Sequence, residues 1–317
     1  MIARQAALVS LLLASPCVVA CPFGAGNNNN GVDTDANLPY GHPDITSSPN
    51  LRRRLGGLPS LRDNPVAADQ MSRILQQRRE ERRSLITGGC FTNQVYSNIV
   101  EDIDIIFNSM ENITTSRDRG HFFGGIVRLA AHDFMDFHHD PPDSELPLGA
   151  DGCIDWNTAP GQTGADNAGL ETIWCDDHAA CPLKGLYDTV YGPNGEADVN
   201  IGRGDFWVAA ANAVIKLSST DWVDAQGVAH PDLDLPFRYG RVDLEDCTEV
   251  SARRLPAASG CDQVQKTFID QMNLAEGWRD AVALLGAHTL GYGHSEFSGH
   301  DGMWVDEIEE TVKFDKR

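Results

Sequence analysis

Five segments beyond residue 90 carry apolar residues at helical spacing: 96–110, 122–134, 206–216, 264–272 and 278–290. Apolar side chains recurring every three or four residues form a stripe that must be buried against another element. Alternating strand patterns are scarce. Loops rich in Gly, Pro and Asp separate the helical segments, notably 139–166 and 218–236. The pattern predicts a mainly α domain with long functional loops and no internal repeat.

The beginning of the chain reads differently. Arg4 and the short apolar run 6–14 are followed by Val18-Val19-Ala20, the order of a secretory signal peptide ending at residue 20. Acylation of Cys21 is the alternative for a bacterial source. Residues 21–83 hold an asparagine run, scattered Pro and Gly, and basic clusters at Arg52 to Arg54, Arg78-Arg79 and Arg82-Arg83. They read as a pro-peptide or disordered linker, with the folded domain at 84–317. Solvated helix faces are the other reading of those clusters.

No later segment reaches the ~18 apolar residues of a membrane helix. The 46 acids and 25 bases give a net charge of −21, which argues against nucleic acid and anionic membranes as partners. Six cysteines lie beyond Arg83: Cys90, Cys153, Cys175, Cys181, Cys247 and Cys261. An even number in an exported chain suggests three disulfides, Cys175–Cys181 and Cys247–Cys261 being the short separations. Asn112-Ile-Thr114 is a glycosylation sequon expected on the surface. These features together predict a secreted monomer.

The segment RLAAHDFMDFHHD, 128–140, gathers three histidines, three aspartates and Arg128. Arg128 and His132 stand four apart and share a helix face. A buried Arg must be paired or must face a ligand, and its charge disfavours a metal cation beside His132. His138 and His139 follow a break before Pro141 and read as solvated or capping residues. A second apolar helix, DAVALLGAHTLG, ends in His288. One helix thus offers an imidazole for a metal centre. The other offers His and Arg, suited to moving a proton and stabilising negative charge.

These residues resemble the plant-type haem peroxidase superfamily. IVRLAAHD is similar to its distal motif and DAVALLGAHTLG to its proximal motif. Asp166-Asn167-Ala-Gly-Leu and Leu235-Pro236-Phe-Arg-Tyr-Gly-Arg241 are similar to two intervening stretches, in the same order. The resemblance implies a helical fold holding haem b between distal and proximal halves, with His288 as the iron ligand. His132 would take a proton from hydrogen peroxide and return it to the departing oxygen, while Arg128 stabilises the developing charge. Asn167 would hold the other ring nitrogen of His132. A small reducing donor of phenolic type would give up single electrons near Pro236.

The departures are specific. Ala131 stands where the family has an aromatic residue. Gly124 and Gly120 replace the acids of manganese-oxidising members, and Ala283 replaces an exposed radical tryptophan. Ser298-Gly-His-Asp-Gly-Met-Trp304 is similar to the intracellular class of cytochrome c and ascorbate peroxidases, which implies Trp304 against His288 and His294 near a haem propionate. The chain therefore combines features of the secreted and intracellular classes. Asp133 with Gly149 and Asp151 is similar to a calcium loop of secreted members, although Cys153 replaces a serine ligand; the alternative is an acidic, glycine-rich loop without metal. Thr289 would begin a second cation site.

The family's proximal Asp has no counterpart before Arg317, so the proximal half is expected to be incomplete and the sequence truncated. Two readings follow: a secreted haem peroxidase, or a peroxidase-derived chain that binds haem or calcium with little turnover. A non-haem metalloprotein using His132, His138 and His139 is the third.

Overall fold

The computed structural model describes residues 57–83, 92–155, 167–197, 199–219, 235, 237–245, 254–256, 260–293 and 302–314. Its helices, in chain order, are α1 (Pro59–Asp63), α2 (Pro65–Arg83), α3 (Asn93–Met110), α4 (Ser116–Phe134), α5 (Pro182–Leu186), α6 (Arg203–Ser218), α7 (Cys261–Val264) and α8 (Trp278–Leu285). Two π-helical turns, Tyr187–Tyr191 and Gln265–Gln271, continue α5 and α7. A 3-10 turn, Gly286–Thr289, tightens the end of α8. Strands β1 (Tyr292–Gly293) and β2 (Gly302–Met303) form one antiparallel pair. The protein is mainly helical, as its periodicity predicts.

The main core lies among α3, α4 and α6. Each helix begins where its sequence allows. Thr92 accepts a hydrogen bond from the Val95 amide at the start of α3. Thr115 and Asp118 form a reciprocal capping box at the start of α4, so amides left without helical partners are satisfied on both helices. Val95, Ile99, Ile103 and Ile106 of α3 are buried, as are Phe122, Phe123, Ile126 and Leu129 of α4. Phe107 stacks on Phe123 at 3.8 Å between ring centroids. The 3-10 turn Ile308–Val312 packs on α4 from the other side.

Residues 57–83 are helical, which differs from a disordered linker and leaves the pro-peptide reading as it stood. They form α1 and α2, and Leu58, Leu61, Ala67, Met71 and Leu75 join the main core. One arginine of each of the last two basic clusters, Arg78 and Arg82, is anchored by acids. Arg82 Nη2 donates to Asp102 at 2.7 Å, and Arg78 to Glu81 at 2.6 Å. Asp102 sits fully buried on the apolar face of α3 and also accepts from the Tyr191 hydroxyl at 2.6 Å. The π turn puts Tyr191 in that position. A buried carboxylate needs such partners, so the helix carrying Arg82 is part of the fold.

Two glycines let the proximal segment approach α4. A Cβ on Gly124 would lie 2.6 Å from the Gly291 Cα, and one on Gly120 would lie 2.6 Å from the Thr311 Oγ1. The Gly291 backbone and the Thr311 side chain therefore fill the space in front of the two positions that lack acids.

Candidate active site

Arg128 and His132 lie on the last two turns of α4, and Asn167 is fixed beside them. Asn167 Nδ2 donates to the Asp155 carbonyl at 3.2 Å, which turns Asn167 Oδ1 toward His132 Nδ1 at 2.9 Å. An amide oxygen only accepts, so Nδ1 carries the ring proton and the Nε2 lone pair is left to act as base. Burial, then the nearby Arg128 charge, lowers the His132 pKa to about 3; the Asn167 hydrogen bond opposes them. The imidazole is therefore neutral at neutral pH. Arg128 Nη1 donates to the Ala168 carbonyl at 2.8 Å.

His288 lies within the 3-10 turn after α8. Its Nδ1 is 3.0 Å from the Leu285 carbonyl, so Nδ1 carries the ring proton and Nε2 the lone pair. Trp304 meets the ring edge-on, 5.2 Å between centroids at 81°. Burial lowers the His288 pKa, the Leu285 hydrogen bond raises it, and the Arg128 charge lowers it again. His132 and His288 are close enough that each disfavours a charge on the other. Two neutral imidazoles on separate elements, with Arg128 near both, form a donor set that fits haem iron.

The acidic loop follows the end of α4. Asp133 is fully buried, and its two oxygens accept the Gly152 and Cys153 amides at 3.0 and 3.1 Å. Asp151 Oδ1 accepts the Cys153 amide, and Gly149 donates its amide to Asp136 at 2.8 Å. Cys153 is disulfide-bonded, and a disulfide sulfur is a poor ligand for a hard cation. Asp151 Oδ2 is buried without a partner, but among the described residues no group of three or more His, Cys, Asp or Glu could hold a metal. Asp133, Gly149 and Asp151 thus meet in one turn whose carboxylates are engaged by backbone amides. Burial accordingly raises the Asp133 pKa to about 8 and the Asp151 pKa to about 6.

Other expected residues divide clearly. Thr289 Oγ1 is buried without a hydrogen-bond partner. Pro236 and His294 lie outside the described residues, as does Cys247. Cys175 and Cys181 form the expected disulfide, and Asn112 is exposed. His138 and His139 stack on each other at 5.9 Å. Their Nδ1 atoms engage the Asp140 amide and the Gln271 carbonyl, which makes them loop anchors. The residue that sequence reasoning missed is Leu285, whose contribution is a main-chain carbonyl.

A family model described as Peroxidase matches residues 106–314. Mitochondrial cytochrome c peroxidase of Emericella nidulans is 27% identical over 216 residues, covering 67% of this chain and 51% of that protein. L-ascorbate peroxidase 2, cytosolic, of Oryza sativa subsp. japonica is 38% identical over 94 residues, 28% of this chain and 36% of that protein. Mitochondrial cytochrome c peroxidase of Candida albicans is 35% identical over 105 residues, 33% of this chain and 25% of that protein. The matched stretches span between 25% and 51% of these relatives' own lengths.

Proposed function

This chain belongs to the plant-type haem peroxidase superfamily, and we propose on that premise that it reduces hydrogen peroxide with single electrons from a small donor. The observation that carries this reading is the Asn167–His132–Arg128 arrangement. It produces a neutral imidazole with a free Nε2 beside a guanidinium. Haem b, held by His288, supplies the redox chemistry when bound.

The chain's own residues handle the proton and the charge. His132 Nε2 would accept the proton of the peroxide oxygen that is retained and deliver it to the other, departing oxygen, so that water leaves. Asn167 keeps Nδ1 protonated throughout, which prevents the ring from presenting the wrong nitrogen. Arg128 places a fixed positive charge where negative charge develops, in a site of low polarisability where such a charge acts strongly. Trp304 fixes the face of His288.

The donor class we propose is a phenolic or similar small reductant reaching the haem edge near Pro236. Export is proposed from residues 1–20 and from the disulfides at Cys153 and Cys175–Cys181, since such bonds persist in oxidising compartments. A monomer is proposed with it.

The test is reconstitution of the chain with haemin, followed by stopped-flow mixing with hydrogen peroxide and a phenolic donor. A Soret band lost in His288→Ala, with donor oxidation lost in His132→Leu, supports the reading. Haem uptake with no peroxide reaction supports the second reading, a haem-binding chain with little turnover. The Leu285 carbonyl at His288 is the observation that favours it.

A further inference from the structure

Helix α2 carries two pairs of arginines, Arg78-Arg79 and Arg82-Arg83, four residues apart. That spacing is close to one helical turn, so the first members of the pairs share one face and the second members the next. The fold divides each pair accordingly. Arg78 and Arg82 are 5% and 3% exposed, whereas the side chains of Arg79 and Arg83 are 49% and 73% exposed.

Both faces are tied down. Inward, Arg82 Nη2 donates to Asp102 at 2.7 Å and to Glu101 at 2.9 Å, and Arg78 Nη1 lies 3.9 Å from the same Asp102. Outward, Arg79 and Arg83 both reach Glu196, which joins α2 to the chain just beyond the π turn Tyr187–Tyr191. Met71 and Leu75 on the same helix are buried in the main core. Opening the inner ion pair would leave the Asp102 charge away from water, which is strongly unfavourable.

Paired basic residues suit removal of a pro-segment, but an endoprotease must draw the chain through its cleft with the backbone extended and both side chains free. Exposed loop tips meet that need, and packed helices do not. We propose that the arginine pairs of α2 form a clasp that withholds this cleavage. The folded chain keeps α1 and α2, and a chain whose Arg82–Asp102 contact has not formed is cut after Arg79. In that cut one water adds across the Arg79–Glu80 peptide bond, leaving a carboxylate on Arg79 and an amine on Glu80. The clasp involves no residue of the haem site.

The test treats the full chain with an endoprotease specific for paired basic residues and follows the new Glu80 N-terminus by intact mass. A synthetic peptide of residues 74–83, too short to hold a helix in water, gives the unprotected rate. Where opening is fast relative to cutting, the rate reports the open population. The native chain is expected to be cut at no more than about one hundredth of the peptide's rate. Asp102→Asn should raise that rate at least ~10-fold, and Tyr191→Phe, which removes one donor to Asp102, at least ~3-fold.

A second measurement separates the clasp from a general loss of stability. In Tyr191→Phe, amide exchange should quicken in 65–83 while 116–134 keeps its protection. Equal quickening in both segments overturns the proposal, because α2 then opens only when the whole domain does. Cutting of the native chain at the peptide's rate, with its far-UV circular dichroism retained, overturns it as well. So does a Tyr191→Phe rate equal to the native one, an outcome that stands even where Asp102→Asn fails to fold.

Discussion

The two helices that carry the reactive histidines are built to different standards. Helix α4 buries Phe122, Phe123, Ile126, Val127, Leu129 and Ala130, and it packs against α3 and α6. His132 is therefore held on a rigid element, with Asn167 fixing its ring and Asp155 fixing Asn167. Helix α8 buries Ala281 alone, and Leu284 on it is 37% exposed. It joins a smaller cluster with Val264, Phe268, Leu255 and Met135, and its His288 is oriented by a local main-chain contact. The distal side is preorganised by the fold. The proximal side depends more on what it binds, because local stability follows buried apolar contact.

Substitutions on the distal side test that preorganisation. His132→Leu removes the base and is expected to lower the second-order rate constant with hydrogen peroxide by ~10²–10⁴, measured by stopped flow, with the Soret band retained. A smaller loss than tenfold would show that α4 does not deliver the proton acceptor. The rate constant should also be flat from neutral pH down to about pH 4. It should fall only as His132 protonates near its pKa of about 3. Arg128→Gln, by removing a charge that opposes protonation, should move that acid limb to higher pH.

Next in size is the support beneath the distal half. Arg82→Ala leaves Asp102 buried with a lost cation and is expected to cost ~3–5 kcal/mol in urea unfolding. Replacing both partners with apolar residues of similar size should cost less. Cleavage after Arg83 that leaves stability unchanged would show that α2 is dispensable. Asn167→Val frees the wrong ring nitrogen and should cost ~10–100-fold in the peroxide reaction. Haem loading, in turn, should slow amide exchange more in 261–293 than in 116–134; equal protection would remove the contrast between the two sides.

Some of this was legible in the sequence for identifiable physical reasons. The helical spacing of α3, α4 and α6 is strong, and the i and i+4 placement of Arg128 and His132 puts them on one face whatever surrounds them. Trp304 against His288 followed from resemblance and is present. Helix α2 was obscured because its Arg-rich surface resembles a processing segment. Yet Ala67, Met71, Leu75, Arg78 and Arg82 fall at helical spacing, and Asp102 between Ile99 and Ile103 signals that a cation must come from elsewhere. The π turns at Tyr187–Tyr191 and Gln265–Gln271, and the Leu285 contact, depend on tertiary packing and main-chain geometry. No side-chain pattern encodes them.

The smallest expected effect concerns the end of the distal helix, where Asp133 separates an amide-capped turn from a cation site. Its carboxyl has an ordinary pKa of 3.8 and is raised to about 8 in the fold. Between those values the folded chain holds a proton that the unfolded chain releases, so stability falls as pH rises. His132 contributes the opposite slope, but only between about 3 and 6.5, and Asp151 acts only up to about 6. The interval from pH 6.5 to 8 therefore reports mainly on Asp133, and unfolding free energy should decline across it. Asp133→Asn should flatten that decline. It should also cost ~1–3 kcal/mol throughout, because the new amide group faces one of the two backbone donors. Calcium would reverse the sign by holding Asp133 ionised. If added calcium chloride raises stability at pH 8 and removes the decline, the loop is a cation site after all. If the decline persists unchanged in calcium, the distal helix is closed by amides alone, and its rigidity owes nothing to a metal there.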